Sequence, residues 1–457
     1  MEYEVVVVGG GIGGLTATAL LAARGLNVCL LERQSQVGGC LANFEYQGYQ
    51  FDPTYGLFSG WEDHGIWPRI FAELPIEPPT ARALPSPYTV RFPERTEVAV
   101  VSDAREFENE LRRRFPECAD VASDFYQRLE TETRAASPET KLADLLQNTS
   151  IRFRRFIDVQ LETFAQCSSE TCSVEIAAQV LNRRYWEIDG GGQALAHSLA
   201  ASAKASGAKL RLDTRVLRLA YATSGEPIGV DLLSGEQVTA TRAIISNLTA
   251  WDTYGKLVGL AKTPPALSSQ LRKLQSWGVY LLFLSMDCDA VSRLSSRRVL
   301  ALTDWQSEQP YDPSMAQLVF TASNSDLRPR DAKRAVTIST FSNAEEWFSF
   351  HEDHSVHEER DQQMLEGTWS RLHSAFPELG DSVEVIESAT PQTFYESTRR
   401  KFGMIGRPFG LSHGADWKTH LPNLLLASDT ATRGLGVAGV ATSALAIADH
   451  ITRFPRL

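Results

Sequence analysis

No stretch of this 457-residue chain reaches the roughly 18 to 20 consecutive apolar residues that a membrane-spanning helix needs. The longest candidates, Gly278 to Met286 and Gly434 to Ala448, are too short or too rich in small residues, and are expected as a buried strand and a buried helix. Cysteine is scarce. The six present show no framework spacing, which suits a reducing cytoplasm. Cys167 and Cys172 lie close together and are expected as two half-buried thiols near a helix start. No basic block offsets the formal charge of −11, which argues against nucleic acid as a partner and gives no support for docking on anionic lipid. No low-complexity tract interrupts an ordinary globular composition with 43% apolar residues. Glu2 and Glu4 sit in a strand that begins beside Met1, so no signal peptide is expected. A metal site is not expected either. His351, His354 and His357 recur every three residues, which leaves the outer two about 120° apart around a helix axis, and a solvated, charged helix start explains them better.

What the chain does have is concentrated in its first forty residues. Val5 to Val8 is an apolar β-branched run, the composition of a buried parallel strand. Gly9, Gly11 and Gly14 then fill a G-x-G-x-x-G frame, with helix formers from Leu15 to Ala23 and a second buried strand from Asn27 to Leu31. The first glycine permits the tight turn, the second lets backbone N–H groups approach a pyrophosphate, and the third lets helix and strand pack closely. The helix N-terminus offers unpaired donors and a positive dipole end. Glu32, ending the second strand, is placed to accept both ribose hydroxyls and disfavours a 2′-phosphate, so NADP is not expected here. A further glycine pair, Gly38 and Gly39, suggests a long ligand that continues past the pyrophosphate.

From Trp61 to Tyr185 proline-rich turns, two short strands and several helices read as an insertion over a ligand face. The pattern reverts at Tyr185-Trp186, with a glycine turn to Gly192, a helix to Ser206 and short strands from Lys209 to Ile245, including Gln237 to Ala240 and Arg242 to Ile245 as separate pieces. A second insertion runs from about Thr249 to Thr390, with strands at Val279 to Leu284, Gln317 to Thr321 and Ala335 to Thr340 and a helix at Val356 to Phe376. The end of the chain repeats strand, acid, glycine turn and helix: Asn423 to Ala427, Asp429, then Gly434, Gly436 and Gly439. A nicotinamide does not need this second half, whereas a flavin ring lying beyond the pyrophosphate gains from backbone donors at a helix start. Asp429 would accept ribityl hydroxyls, with the N–H groups near Gly436 and Val437 facing the ring.

Taken with Val28-x-x-Leu31-Glu32-Arg33 and Gly38-Gly39, the glycine frame resembles the FAD fingerprint shared by amine oxidases and phytoene desaturases. Phe51-Asp52, the turn from Tyr185 to Gly192, Thr214-x-Val216, Thr390-Pro391-x-Thr393 with Gly403 and Gly406, and the ending from Leu425 to His450 narrow it toward the phytoene desaturase and carotenoid isomerase branch. The resemblance implies an α/β fold: a discontinuous Rossmann-like FAD-binding domain of the glutathione reductase type (1–60, 186–248 and 391–457) with an inserted α+β substrate or cap domain (61–185 and 249–390). It implies FAD as cofactor, with Gly9, Gly11, Ile12 and Gly14 at the pyrophosphate, Glu32 at the adenosine ribose, Arg33 and Gly39 flanking the cofactor, and Val216 meeting the adenine. Asp429, Gly436 and Val437 would lie by the ribityl chain and ring.

Three departures stand out. Pro53-Thr54-Tyr55 replaces a usual glycine, Ser428 stands where glycine commonly precedes the acid, and Thr432-Arg433 replaces a run richer in glycine and proline. Leu435 aligns with an aromatic cage residue of amine oxidases, so an amine cage is incomplete. The implied chemistry is desaturation, saturation or double-bond isomerisation of a small hydrophobic polyene or isoprenoid through flavin N5, carried by the cofactor rather than by a protein nucleophile. Tyr55, Tyr185 and Arg400 are the substrate-side candidates, and no catalytic residue is singled out. Two rivals stand beside this reading: an oxidase of an amine, amino acid or porphyrinogen, and a non-enzymatic chaperone or scaffold. A cytoplasmic protein is expected with no obligate protein partner evident, peripheral membrane contact being left open.

Overall fold

The computed structural model describes residues 1–52, 54–135, 141–273, 276–305, 311–323, 332–348, 354–406, 417–431 and 436–453. Its centre is the strand Glu2–Val8, in which Val5, Val6 and Val7 are fully buried. It runs parallel to Val28–Leu31 on one side and to Gln237–Ser246 on the other. Lys209–Arg211 extends the sheet beyond the first neighbour and Leu424–Leu426 beyond the second, both parallel. Valine, isoleucine and leucine fill these strands because helices or loops cover both faces, leaving no solvent side for polar alternation.

One face carries the helices Ile12–Ala23, Gly191–Ala205 and Gly436–Arg453. Small residues such as Ala17, Ala19, Ala441, Ala444 and Ala448 let them approach closely. The other face is covered by Trp251, Tyr254, Leu257 and Val258 together with the antiparallel pair Val216–Tyr221 and Pro227–Leu232.

Gln237–Ser246 is one ten-residue strand, not the two pieces expected. Its first half pairs antiparallel with Pro227–Leu232 and its last three residues pair parallel with Leu424–Leu426. Arg242, expected to start the second piece, is tied down by Glu4 at 3.1 Å and by the carbonyl of Ile451 at 3.2 Å.

A second, seven-stranded sheet draws on both stretches between the pieces of the first. Its order is Val383–Ala389, Trp277–Asp287, Lys333–Asn343, Gln317–Ala322, Arg298–Leu302, Tyr88–Arg91 and Glu97–Val100. Every pairing is antiparallel except Arg298–Leu302 with Tyr88–Arg91. Strands alternate their side chains. Leu282, Leu284, Val336 and Ile338 therefore pack toward the helix His354–Ala375, while Leu300, Leu302 and Val319 pack toward the helices Ala104–Arg114, Ile151–Ala165 and Val174–Leu181. The strands Arg298–Leu302 and Val383–Ala389 and the helix Val174–Leu181 were not among the expected elements.

The chain crosses between the sheets along paired paths. Phe58 and Trp186 exchange backbone hydrogen bonds of 2.9 and 2.7 Å, holding the outgoing and returning segments together. Arg298 pins both to the second sheet: its Nε donates to the Tyr55 carbonyl at 2.8 Å, one Nη to the Gly56 carbonyl at 3.2 Å, and its guanidinium pairs with Glu187.

Candidate cofactor and substrate site

The turn Gly9–Gly11 leaves the carboxyl end of the central strand, where strand order reverses, and such a crevice is the usual ligand position in open parallel sheets. Gly9 has φ of +101°, a conformation that disfavours any side chain. A Cβ on Gly14 would stand 2.1 Å from the Gly9 carbonyl oxygen, so only glycine lets the helix close on the strand. Gly11 caps the helix with no side-chain hydrogen bond, leaving backbone donors free to face an anion. Gly39, with φ of +57°, packs so closely that its Cβ would lie 3.1 Å from the Gly11 Cα.

Glu32 lies against this turn. Its carboxylate accepts from the Gly10 N–H at 2.6 Å and from the Gln34 N–H at 2.7 Å. The Glu32 carbonyl accepts from the Thr214 N–H at 2.8 Å, which brings Val216 to the same end of the groove. Arg33 turns away from the glycines and donates to the Ser397 carbonyl at 2.6 Å, with burial as the main influence lowering its pKa.

Asp429 follows the strand Leu424–Leu426, three strand positions from Val28–Leu31, a lateral separation of roughly 14 Å. The helix Gly436–Arg453 begins seven residues on, with Gly436 at φ of +62°. Thr432, Arg433 and Leu435 lie outside the described residues, as do Pro53 and His351. Among the described residues no cluster of His, Cys, Asp and Glu could hold a metal ion, and no helix is long and apolar enough to cross a membrane.

Two side chains that sequence reading passed over join the halves. Asn247 donates to the Ala427 carbonyl while its Oδ1 abuts Gly11. Cys40 interacts with Arg400, which in turn holds Asp429 with Nη2–Oδ2 at 2.9 Å and Nη1–Oδ1 at 3.3 Å. Cys40 reaches solvent although protein surrounds it closely enough for desolvation to raise its thiol pKa, the mark of a group on the wall of an interior cleft. Arg400 therefore lies against Asp429 and Cys40, while Tyr55 and Tyr185 meet at Phe164. A polar residue just past the carboxyl end of a parallel strand was the available signal for Asn247; nothing in the sequence announces Cys40.

Tyr55 and Tyr185 come together through Phe164, at ring-centroid distances of 6.2 and 5.6 Å, with Tyr88 at 5.3 Å from Phe164. The Tyr55 hydroxyl interacts with Ser339 on the second sheet, and burial raises the pKa of both tyrosines, that of Tyr185 to about 12. On the same helix, Glu162 is 6% exposed and one of its oxygens has no partner. Desolvation first, then Asp158 and Asp312, pushes its pKa to about 8 against the opposing hydrogen bond of Trp277. A cavity of about 800 Å³ opens at this end of the sheet, lined by Trp277, Phe341, Met315, Met364 and Met404 among others. The Met404 carbonyl accepts from Arg400 Nε at 2.9 Å, so cavity wall and cofactor groove share a segment.

Sheet, glycine turn, acid and returning helix define a mixed α/β protein with a Rossmann-like dinucleotide-binding domain joined to a second sheet. Comparison with known proteins agrees: residues 7–74 match the NAD(P)-binding Rossmann-like domain. The chain is similar along nearly its whole length to the chloroplastic prolycopene isomerase of Daucus carota, 27% identical over 98% of this chain and 80% of the relative. It is 23% identical to the human all-trans-retinol 13,14-reductase over 91% of this chain and 77% of that protein. These homologues are enzymes. Among solved structures it shares its fold with an oxidoreductase from Methanosarcina mazei, with a TM-score of 0.72, 17% identity and coverage of 98% and 100% of the two chains. It also shares it with putrescine oxidase bound to putrescine, with a TM-score of 0.62, 15% identity and 99% of both chains covered.

Proposed function

We propose that this chain is an FAD-dependent oxidoreductase that acts on a hydrophobic polyene, by desaturating, saturating or isomerising it. What carries the reading is similarity to prolycopene isomerase along 98% of the chain, which includes both halves of the groove and the aromatic cluster. The residues present fit the cofactor. Glycines stand where any Cβ would collide, an uncapped helix start faces the turn, and Glu32 offers a carboxylate whose present partners are backbone N–H groups. In this reading Gly9, Gly11, Ile12, Gly14 and Gly39 cradle the pyrophosphate. Glu32 takes the ribose hydroxyls, Val216 borders the adenine, and Arg33 braces the adenosine end from outside. Asp429, Gly436 and Val437 serve the ribityl chain and ring. The segments 1–60, 186–248 and 391–457 form the cofactor domain and the rest the substrate domain.

FAD when bound supplies two-electron transfer at its ring. The protein's part is placement. A polyene has almost nothing to hydrogen-bond, so Tyr55 and Phe164, backed by the buried Tyr88 and Tyr185, hold it by aromatic contact and exclude water, while the methionines of the cavity adapt to its shape. The deciding experiment mixes FAD-loaded protein, anaerobically and in both its oxidised and its photoreduced forms, with a panel of polyenes and amines. The expected result is conversion or isomerisation of a polyene without oxygen uptake. Reduction of the oxidised flavin by a soluble amine, with peroxide release in air, would assign the chain to the oxidase class instead.

A further inference from the structure

We propose that Arg400 is a pyrophosphate ligand of the cofactor, an assignment that rests on the FAD reading above. Three separated stretches of chain meet at its guanidinium. Gly39 touches Gly11 at the start of the first helix, and the next residue, Cys40, interacts with Arg400. Arg400 then reaches Asp429 through two nitrogens and the Met404 carbonyl through the third. A guanidinium carries five N–H groups; the contacts to Asp429 and Met404 engage three of them, and Cys40 is hydrogen-bonded to the same group. An Nη donor remains, on a side chain that is 13% exposed beside a cleft that solvent reaches at Cys40.

Charge argues the same way. Asp429 beside a pyrophosphate would repel it, and the carboxylate is 30% exposed toward the groove. A paired arginine removes that repulsion and can still give a single charge-assisted N–H to a phosphate oxygen. Burial, the largest influence on Arg400, disfavours its charge, yet Asp429 and Asp252 more than restore it, so the cation persists at every accessible pH. The side chain is also pre-aimed. Both ends of its fork are fixed before any ligand arrives, which reduces the entropy lost on binding.

The test uses the full chain with two probes, FAD and ADP, followed by fluorescence quenching and by calorimetry. ADP carries the adenosine and both phosphates but no ring. Arg400→Met is expected to weaken FAD and ADP alike, by roughly tenfold or more for the loss of a charge-assisted contact. Arg400→Lys keeps a cation against Asp429, and with it the local fold, and is expected to lose several-fold for both probes because one ammonium cannot hold Asp429 and Met404 in place and also reach a phosphate. Asp429→Asn is expected to weaken FAD only, leaving ADP binding unchanged or tighter. Wild-type ADP affinity in both Arg400 variants would overturn the assignment, whatever happens to FAD, because the contact would then lie at the ring or with the substrate. A wild-type chain that binds neither probe would overturn the cofactor reading itself, and the assignment with it.

Discussion

The side-chain amide of Asn247 donates to the Ala427 carbonyl, while its Oδ1 fills the space where a Cβ on Gly11 would lie, 2.5 Å away. One residue thus sets the separation between the glycine turn and the segment leading to Asp429. Asn247→Leu keeps the bulk but leaves a buried carbonyl unpaired, at an expected loss of about 1–3 kcal/mol in stability. FAD titration of the same variant should show weaker binding than in the wild type, since the two halves of the groove lose their common strut. Unchanged affinity would mean that the halves are held in register by the sheet alone.

Gly11 and Gly14 should respond differently to alanine. Gly11 has φ of −75°, which alanine adopts freely, so its obstacle is the tip of Asn247 and not the backbone. Gly14 faces the Gly9 carbonyl, which cannot move without opening the turn. Gly14→Ala is expected to be destabilising by at least about 2 kcal/mol in denaturant melts, and Gly11→Ala by less. Adding Asn247→Ala should recover part of the Gly11→Ala loss and none of the Gly14→Ala loss. Equal, additive effects in both pairs would contradict the packing described.

Glu162 gives the protein a pH-dependent stability. Its folded pKa of about 8 lies above the ordinary carboxyl value of 4.5, so between these the folded chain holds a proton that the unfolded chain has released. Stability from this group is fully present below about pH 4.5 and lost as pH rises toward 8, by on the order of a few kcal/mol. Glu162→Gln should remove that slope. Thermal melts from pH 5 to 9 should therefore show the variant gaining on the wild type up to about pH 8 and levelling off above it, and parallel curves would show that the carboxyl stays ionised.

Tyr55 lets substrate handling be tested apart from cofactor binding. Its ring meets Phe164 and its hydroxyl meets Ser339, both outside the glycine groove. Tyr55→Ala is expected to leave FAD affinity within about twofold and to reduce polyene conversion roughly tenfold, the order expected from losing a buried aromatic contact. Tyr55→Phe, which keeps the ring, should retain most conversion. Loss of FAD in either variant would place Tyr55 at the cofactor instead.

The first sheet was largely legible because its strands are continuous apolar runs with glycine or an acid at their ends: Val5 to Val8 before Gly9, Asn27 to Leu31 before Glu32, Asn423 to Ala427 before Asp429. The second sheet was less so. Arg298 begins a strand buried on both faces, yet its charge and the serines before it read as loop, because its partners, Glu187 and the Tyr55 and Gly56 carbonyls, lie far away in sequence. Val383–Ala389 is a partly exposed edge strand whose two glutamates, Glu384 and Glu387, stand three residues apart, and so lacks a clean apolar alternation. The contact of Arg400 with Asp429 was hidden for the same reason. A lone arginine on a turn carries no sign of its partner, and only folding brings it to Asp429.

The most direct test of the whole account is titration of the purified chain with FAD, read by absorbance and by quenching of flavin fluorescence, in the wild type and in Glu32→Ala and Asp429→Ala. The account predicts one saturable site per chain, weakened from the adenosine end by the first substitution and from the ring end by the second, with ADP affinity falling only in the first. A chain that stays colourless with excess FAD, or two variants that bind it as tightly as the wild type, would contradict it.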